Sequence, residues 1–193
     1  MKIGVDIDGV LTDLPTFHLD YGIKYAYENN LGDIKDPYGY KISDVINISK
    51  DSREFWTKYA DSYTKKKYSR EFAPEIINKL KEEGNEIHII TARNPETEQK
   101  EEWTTDWLKE NNIKYDKLTF TGQKLDYIKE NKIDLMIEDS LKALLELSKF
   151  IPVICYSTPY NQNCNGENII RAYSWYDVYE KIKELEEKNG RRN

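Results

Sequence analysis

The stretch MKIGVDIDGV, residues 1–10, decides the fold of this chain. Ile3, Val5 and Ile7 alternate with other residues, and the run stops at Gly9 after two carboxylates, which predicts a short buried strand followed by a tight turn. Side chains two positions apart in a strand point the same way, so Asp6 and Asp8 should project together beyond its end. Two carboxylates that close repel each other unless a cation lies between them. Oxygen ligands of this kind suit a divalent metal, although the same sequence is compatible with an ordinary strand end whose acids are solvated.

The composition sets the class of protein. The 193 residues are enough for one core and an accessory lobe, and 38% hydrophobic with 33% charged residues describes a globular chain. No apolar run approaches the ~20 residues that span a bilayer, so no membrane association is expected. A net charge of −6 argues against a nucleic-acid polymer as partner. Cys155 and Cys164 are too few for a disulfide framework, and we therefore expect a cytoplasmic location.

Beyond the first strand the chain divides into two parts. Residues 11–72 are poor in aliphatic side chains and rich in tyrosine, and Phe17, Tyr21 and Tyr25 share a helical face, which predicts a small helical lobe with an aromatic core. From residue 73 onward, strands and helices alternate. The strands are predicted at 86–91, 117–121, 133–139 and 152–156, and the helices at 74–83, 96–110, 123–131, 140–149 and 175–188. Such alternation predicts a Rossmann-like α/β fold, a doubly wound parallel sheet with helices on both faces.

Polar side chains stand at the ends of four predicted strands. Parallel sheets bind ligands beyond the carboxyl ends of their strands, so these groups should meet at one edge. They comprise Asp6 and Asp8 after the first strand, Thr91, Ala92 and Arg93 after the second, Lys124 after the third, and Glu138 with Asp139 after the fourth. Each alone is a weak signal, but their order along the chain is specific for a site that holds phosphate and a metal.

This ordered set resembles the four motifs of the haloacid dehalogenase-like phosphohydrolase superfamily. The resemblance implies a sheet order of 3-2-1-4-5, a core domain of residues 1–13 and 75–193, and a helical cap of residues 14–74 inserted between the first two motifs. The chain length, the cap and the segment 158–161 are most similar to bacterial nucleotidases of the 5′(3′)-deoxyribonucleotidase-like branch. The function implied is a Mg²⁺-dependent phosphomonoesterase of small phosphate esters, with nucleoside monophosphates as candidate substrates.

The resemblance also implies roles for individual residues. Asp6 would be the nucleophile that forms an aspartyl-phosphate, and Asp8 would be the general acid and base. Thr91, Ala92 and Lys124 would hold the phosphate. Mg²⁺ would be bound by the side chains of Asp6 and Asp139 and the backbone carbonyl of Asp8, with Glu138 reaching the metal through water. Candidates for contact with the leaving group are Phe17, His18, Arg53, Lys67, Arg70 and Arg93.

Two alternatives stay open at this point. A sugar-phosphate phosphatase or a phosphomutase fits the first motif equally well. From another class, a phospho-acceptor signalling domain of the response-regulator kind also gathers acids, a Thr and a Lys around Mg²⁺. Such domains carry the phosphorylated Asp on the third strand, where this chain has Leu118, Thr119 and Phe120.

Overall fold

The computed structural model describes residues 1–49, 52–65, 69–93 and 98–190. Within them the strands are β1 (Lys2–Val5), β2 (Glu86–Thr91), β3 (Lys117–Phe120), β4 (Leu135–Glu138), β5 (Val153–Tyr156) and β6 (Ile169–Ala172). The helices are α1 (Leu14–Glu28), α2 (Ile42–Val45), α3 (Arg53–Lys65), α4 (Ala73–Glu82), α5 (Glu98–Glu110), α6 (Lys124–Asn131), α7 (Leu141–Leu147) and α8 (Trp175–Gly190), with a 3₁₀ turn at Pro159–Asn161. In this described part of the chain, every helix is too short or too polar to cross a membrane.

The strands form one parallel sheet in the order β3-β2-β1-β4-β5-β6. The predicted order 3-2-1-4-5 is confirmed, and so is the α/β class. A sixth strand, Ile169–Ala172, extends the sheet beside β5 and was not predicted. It has only four residues and follows a long polar segment, so no periodic pattern in the sequence predicts a strand there.

β1 lies at the centre of the sheet because its residues can be buried on both sides. Ile3, Val5 and Ile7 are fully or almost fully buried, and β1 pairs with both β2 and β4. At Gly4 a Cβ atom would lie 2.6 Å from the Sδ of Met136, so glycine permits the close packing there. The pairing continues past the strand's end, where the Asp6 N–H donates to the Ile137 carbonyl at 3.1 Å.

The sheet has an apolar layer on each face. On one face α4 and α8 contribute side chains such as Ile77, Leu80 and Trp175 to a cluster with β1. On the other face Ile128 of α6 and Leu144 of α7 pack against alternate residues of β2, β4 and β5. Helices on both faces of a parallel sheet confirm the predicted doubly wound arrangement.

The helices α1–α3, here called the helical insertion, have a third apolar cluster of their own. Its members include Phe17, Tyr21, Phe55, Tyr59 and Tyr63. The rings meet at centroid distances of 4.6–6.2 Å, typical of aromatic packing. The prediction that the insertion's aromatic residues form its core is therefore confirmed for the members of this cluster, whereas Tyr27, Tyr38 and Tyr40 are exposed.

The two connections between the insertion and the sheet lie side by side. Thr12 forms an isolated antiparallel bridge with Ser69, and the Arg70 N–H donates to the Leu11 carbonyl at 2.8 Å. Ala73, inside the range predicted for the cap, packs in the cluster that includes β1. The division of the chain into a 14–74 cap and a core of 1–13 and 75–193 stays a prediction.

Candidate active site

The turn after β1 presents two carboxylates to one cavity. Ile7 points into the core, whereas Asp6 and Asp8 line the cavity. The turn is closed by Thr12, whose hydroxyl donates to the Ile7 carbonyl at 3.1 Å and accepts the Gly9 N–H at 3.3 Å. Gly9 has φ +95°, a conformation that other residues rarely adopt. The alternation of the opening stretch therefore produces the geometry that the sequence predicts.

Three carboxylates, those of Asp6, Glu138 and Asp139, gather at the ends of β1 and β4. One oxygen of each lies within 4.8 Å of the others, and all three side chains are buried. Burial, followed by the nearby charges of Glu138 and Asp6, raises the pKa of Asp139 well above its usual value. Its Oδ1 is buried without a hydrogen-bond partner among the described residues.

This donor set fits a hard divalent cation such as Mg²⁺. Carboxylate oxygens are its preferred protein ligands, and an unpartnered buried oxygen offers a free coordination position. The Gly9 backbone lies close to the Asp139 carboxylate, so that a Cβ atom at Gly9 would overlap the Asp139 Oδ2. Asp6 and Asp139 could therefore hold the metal, with Glu138 beside them.

Lys124, the first residue of α6, lies between two of the three carboxylates. Its Nζ donates to the Asp6 Oδ1 and to the Glu138 Oε2, each at 2.6 Å. The other oxygen of Glu138 accepts the backbone N–H groups of Asp139 and Ser140, so this side chain is fixed at both ends. Burial would lower the pKa of Lys124, but the two carboxylates outweigh it and raise that pKa.

Asp6 and Asp8 have opposite electrostatic environments. Burial raises the pKa of Asp6 to about 7, since Glu138 and Asp8 add to the effect and Lys124 only partly offsets it. Burial would also raise the pKa of Asp8, but the Arg93 guanidinium holds it below its usual value. Arg93 donates from Nε to the Asp8 Oδ2 at 2.9 Å and from Nη2 to the Oδ1 at 2.5 Å.

Two further residues complete the surroundings of Asp8. The Tyr63 hydroxyl of α3 donates to the Asp8 Oδ1 at 2.7 Å and lies 2.5 Å from the Thr12 hydroxyl. Arg93 also donates to Thr104 of α5 at 3.1 Å and lies over the Tyr63 ring. Asp8 is thus held from the insertion and from the loop after β2 at once.

The cavity has a volume of about 690 Å³ and lies at the carboxyl ends of the central strands. Its base is formed by Asp6, Asp8, Lys124 and Glu138, with Ala92 and Arg93 beside them. The helical insertion supplies one wall, which includes Leu14, His18, Tyr40, Trp56 and Tyr63. The other wall comes from α5 and α7, including Trp103, Thr104, Lys142 and Glu146.

The remaining predicted site residues do not all line the cavity. Thr91 is buried at the end of β2, and its hydroxyl accepts the Arg93 N–H at 3.2 Å. His18 lines the cavity, whereas Arg53 is exposed and lines a different depression on the outside of the insertion. Arg70 pairs with Asp13 at 3.0 Å. Lys67 lies outside the described residues.

The expectation that Phe17 contacts the substrate is corrected by the structure. Phe17 has no exposed surface and packs between Tyr21, Tyr63 and Trp56. Position 17 lies on the face of α1 that points into the aromatic cluster, while position 18 borders the cavity. Which of these two adjacent residues faces the cavity depends on how the helix is rotated about its axis. The sequence pattern does not determine that rotation to within one residue.

Sequence reasoning missed three residues that position Asp139. The Tyr160 hydroxyl donates to the Asp139 Oδ2, and the Asn161 side-chain amide donates to the Asp139 carbonyl at 2.8 Å. Arg171 of β6 in turn donates to the Asn161 carbonyl at 2.8 Å and to its Oδ1 at 3.1 Å. The segment 158–161 is similar in sequence to nucleotidases, but its sequence does not indicate a contact with Asp139.

Known families and relatives match almost the whole chain. The model of the family described as "5′ nucleotidase, deoxy (Pyrimidine), cytosolic type C protein" matches residues 1–188. A nucleotidase of Clostridium acetobutylicum is 31% identical over 193 residues, which cover 98% of this chain and 97% of that protein.

Solved structures share the fold. A haloacid dehalogenase (HAD)-superfamily hydrolase of Ehrlichia chaffeensis superposes with a TM-score of 0.55 at 16% identity, covering 95% of this chain and 96% of that one. A D,D-heptose 1,7-bisphosphate phosphatase of B. bronchiseptica, solved with magnesium and phosphate, gives a TM-score of 0.57 at 12% identity, covering 96% and 99%. At these identities the similarity concerns the fold alone.

Proposed function

The chain belongs to the family of cytosolic type C 5′(deoxy)nucleotidases, and on that premise we propose that it hydrolyses nucleoside monophosphates through a phosphoaspartate on Asp6. The nucleotidase branch expected from the resemblance is confirmed, and the protein is a phosphomonoesterase of that branch. One observation carries the proposal: two carboxylates of one turn, Asp6 and Asp8, face the same cavity, and the Lys124 Nζ lies 2.6 Å from the Asp6 Oδ1. One carboxylate can then attack phosphorus while its neighbour transfers the proton of the leaving oxygen.

The first half of the proposed reaction transfers the phosphoryl group to the protein. An Asp6 carboxylate oxygen attacks phosphorus, the bond from phosphorus to the leaving oxygen breaks, and Asp8 gives that oxygen a proton. Lys124, 2.6 Å from Asp6, supplies positive charge beside the phosphoryl oxygens. Asp8 is a carboxylate while Arg93 and Tyr63 donate to its two oxygens, so its bonds to Arg93 must open and it must take a proton from water before it protonates the leaving oxygen.

The second half returns Asp6 to its starting state. Asp8, now a carboxylate, removes a proton from a water molecule whose oxygen attacks phosphorus, and the bond to Asp6 breaks to release inorganic phosphate. Asp6, Asp139 and the backbone carbonyl of Asp8 would hold a Mg²⁺, with Glu138 reaching it through water, and the ion would neutralise charge between these acids and the anionic substrate. Thr91 and the backbone at Ala92 are proposed to contact phosphate oxygens from the end of β2.

The test uses variants of the two proposed catalytic residues. Asp6→Asn should abolish hydrolysis of nucleoside 5′-monophosphates, because an amide cannot form the phosphoaspartate. Asp8→Asn should still react once with p-nitrophenyl phosphate, whose leaving group needs no proton, and then stall. The expected result is a burst of p-nitrophenol equal to the enzyme, with a phosphate adduct in the intact mass after acid quenching.

The exposed Asp106→Asn on α5 is the matched control and should behave as the wild type. Residual turnover in Asp6→Asn close to that of the wild type, or no adduct in Asp8→Asn, would contradict the assigned roles. A panel of sugar phosphates beside the nucleotides tests the alternative substrate class. Faster hydrolysis of the sugar phosphates would overturn the nucleotide assignment while leaving the phosphatase chemistry in place.

A further inference from the structure

His18 is a buried polar residue that the proposed reaction does not use. It lies on α1 in the wall of the cavity and is 2% exposed. Its ring packs edge-on against Trp56 at a centroid distance of 5.8 Å and beside Phe17 at 6.3 Å. Both of these ring contacts are aromatic.

Both nitrogens of this ring are buried without a hydrogen-bond partner among the described residues. A buried polar group without a partner typically destabilises a fold by about 1–3 kcal/mol. Most buried side-chain polar atoms do find a partner, so each exception needs a reason. A phenylalanine at position 18 would avoid the cost.

The other histidine of the chain shows how this fold satisfies a buried imidazole. His88 on β2 is also buried, but its Nδ1 lies 2.9 Å from the Tyr127 hydroxyl and its Nε2 lies 2.7 Å from the Glu86 Oε1. His88 therefore has a structural explanation, as its position in the strand predicts. His18 has the same burial and lacks these contacts, and it differs from His88 in lining the cavity.

His18 offers one donor and one acceptor to whatever enters the cavity. Burial lowers its pKa to about 4, against smaller opposing effects of Asp8 and Asp44, so the ring is neutral at pH 7. A neutral imidazole has one N–H donor and one nitrogen acceptor. Residues around it on this wall, such as Leu14 and Trp56, are apolar or aromatic. A cavity of about 690 Å³ has the size of a small-ligand site and leaves room beyond the phosphate for a nucleoside.

We propose that His18 is a specificity-determining residue that hydrogen-bonds the polar edge of the substrate's leaving group, the nucleoside. This inference rests on the proposed function. In the proposed complex the phosphate lies at Asp6 and Lys124, and a hydrogen-bonding edge of the nucleoside faces α1. Esters whose leaving group has no such edge leave the imidazole unsatisfied and lose that part of the binding energy.

The kinetic test compares two substrates in three proteins. His18→Phe should lower kcat/KM for the preferred nucleoside monophosphate by about 10-fold to 100-fold, mostly through KM. It should leave phenyl phosphate, whose leaving group is apolar, unchanged within the error of the assay. His18→Gln, which keeps a donor and an acceptor, should recover part of the loss. The melting temperature of His18→Phe should equal or exceed that of the wild type, because the unsatisfied polar group is gone.

A second measurement does not depend on turnover. Nitrogen-15 NMR of the two imidazoles, in the Asp6→Asn protein titrated with a nucleoside monophosphate, should show His18 signals that shift on binding and His88 signals that stay in place. Equal loss of activity on both substrates with a lowered melting temperature, or no movement of the His18 signals on binding, would overturn the assignment. Failure of the proposed function is seen separately, as a wild type that hydrolyses no ester of the panel.

Discussion

At the scale of single residues, Asp6 and Asp8 show how neighbours of the same type acquire different chemistry. Both are acids in one turn, and burial pushes the pKa of each upward. Asp6 faces Glu138 and keeps a raised pKa, whereas Asp8 faces Arg93 and has a lowered one. The sequence predicted that the two would project together, but the contact with Arg93 joins positions 85 residues apart and no local pattern predicts it.

The burial of His18 leads to a prediction about stability and pH. Its pKa is about 4 in the folded protein against an ordinary value of 6.5, so between these values the unfolded chain binds a proton that the folded chain does not. Stability due to this residue is therefore complete above pH 6.5 and is lost as the pH falls. Between about pH 7.5 and about pH 5.5 the loss should be about 1.4 kcal/mol.

Urea unfolding of the wild type and of His18→Phe at both pH values measures this. The difference in unfolding free energy between the two proteins should change by that amount, since other groups titrate in both proteins. A difference that is independent of pH would mean that the His18 ring accepts a proton as easily in the fold as in water.

At the scale of elements, β6 and the 3₁₀ turn show how distant segments fix a strand end. Arg171 on β6 donates to the carbonyl of Asn161 in the turn and to that of Cys164 beyond it. The Asn161 side chain donates to the carbonyls of Asp139 and Tyr156. The end of β4 is thus held by an element outside the predicted sheet. The strands with alternating or continuous apolar residues could be predicted, whereas this support could not, because it depends on tertiary contacts of polar side chains.

Asn161→Ala should weaken this support. The change leaves two backbone carbonyls without their donor, and we expect a loss of stability of about 1–3 kcal/mol. Mg²⁺ should also bind more weakly, because Asp139 is less well fixed. Urea unfolding and calorimetric titration with Mg²⁺ check both effects. Asn163→Ala, at an exposed position two residues further on, is the control and should change neither; equal effects at both positions would contradict the prediction.

At the scale of the whole molecule, the site exists only when the chain is folded. Asp6 comes from one strand, Glu138 and Asp139 from another more than 130 positions later, and Lys124 from a helix. The four motifs predicted this convergence correctly, because the carboxyl ends of parallel strands share one edge of the sheet. The wall of the cavity was less predictable, since the packing of α1 against α3 decides which of its residues face inward.

Mg²⁺ should stabilise the folded protein, because its ligands are together only in the fold. At 100 times its dissociation constant, a ligand specific for the native state adds about 2.7 kcal/mol to the free energy of unfolding. Asp139→Asn should remove most of this gain. Without Mg²⁺ the variant should be at least as stable as the wild type, because one of three crowded carboxylates is neutral. Thermal unfolding with and without the ion checks this, and an equal gain in both proteins would place the metal elsewhere.

The hydrogen bond from Tyr63 of α3 to Asp8 joins the helical insertion to the acid–base group itself. If α3 moves away from the sheet, Asp8 loses a donor, and the same movement opens the wall of the cavity to solvent. Movement of α3 would therefore change the access to the cavity and the hydrogen bonding of Asp8 at the same time.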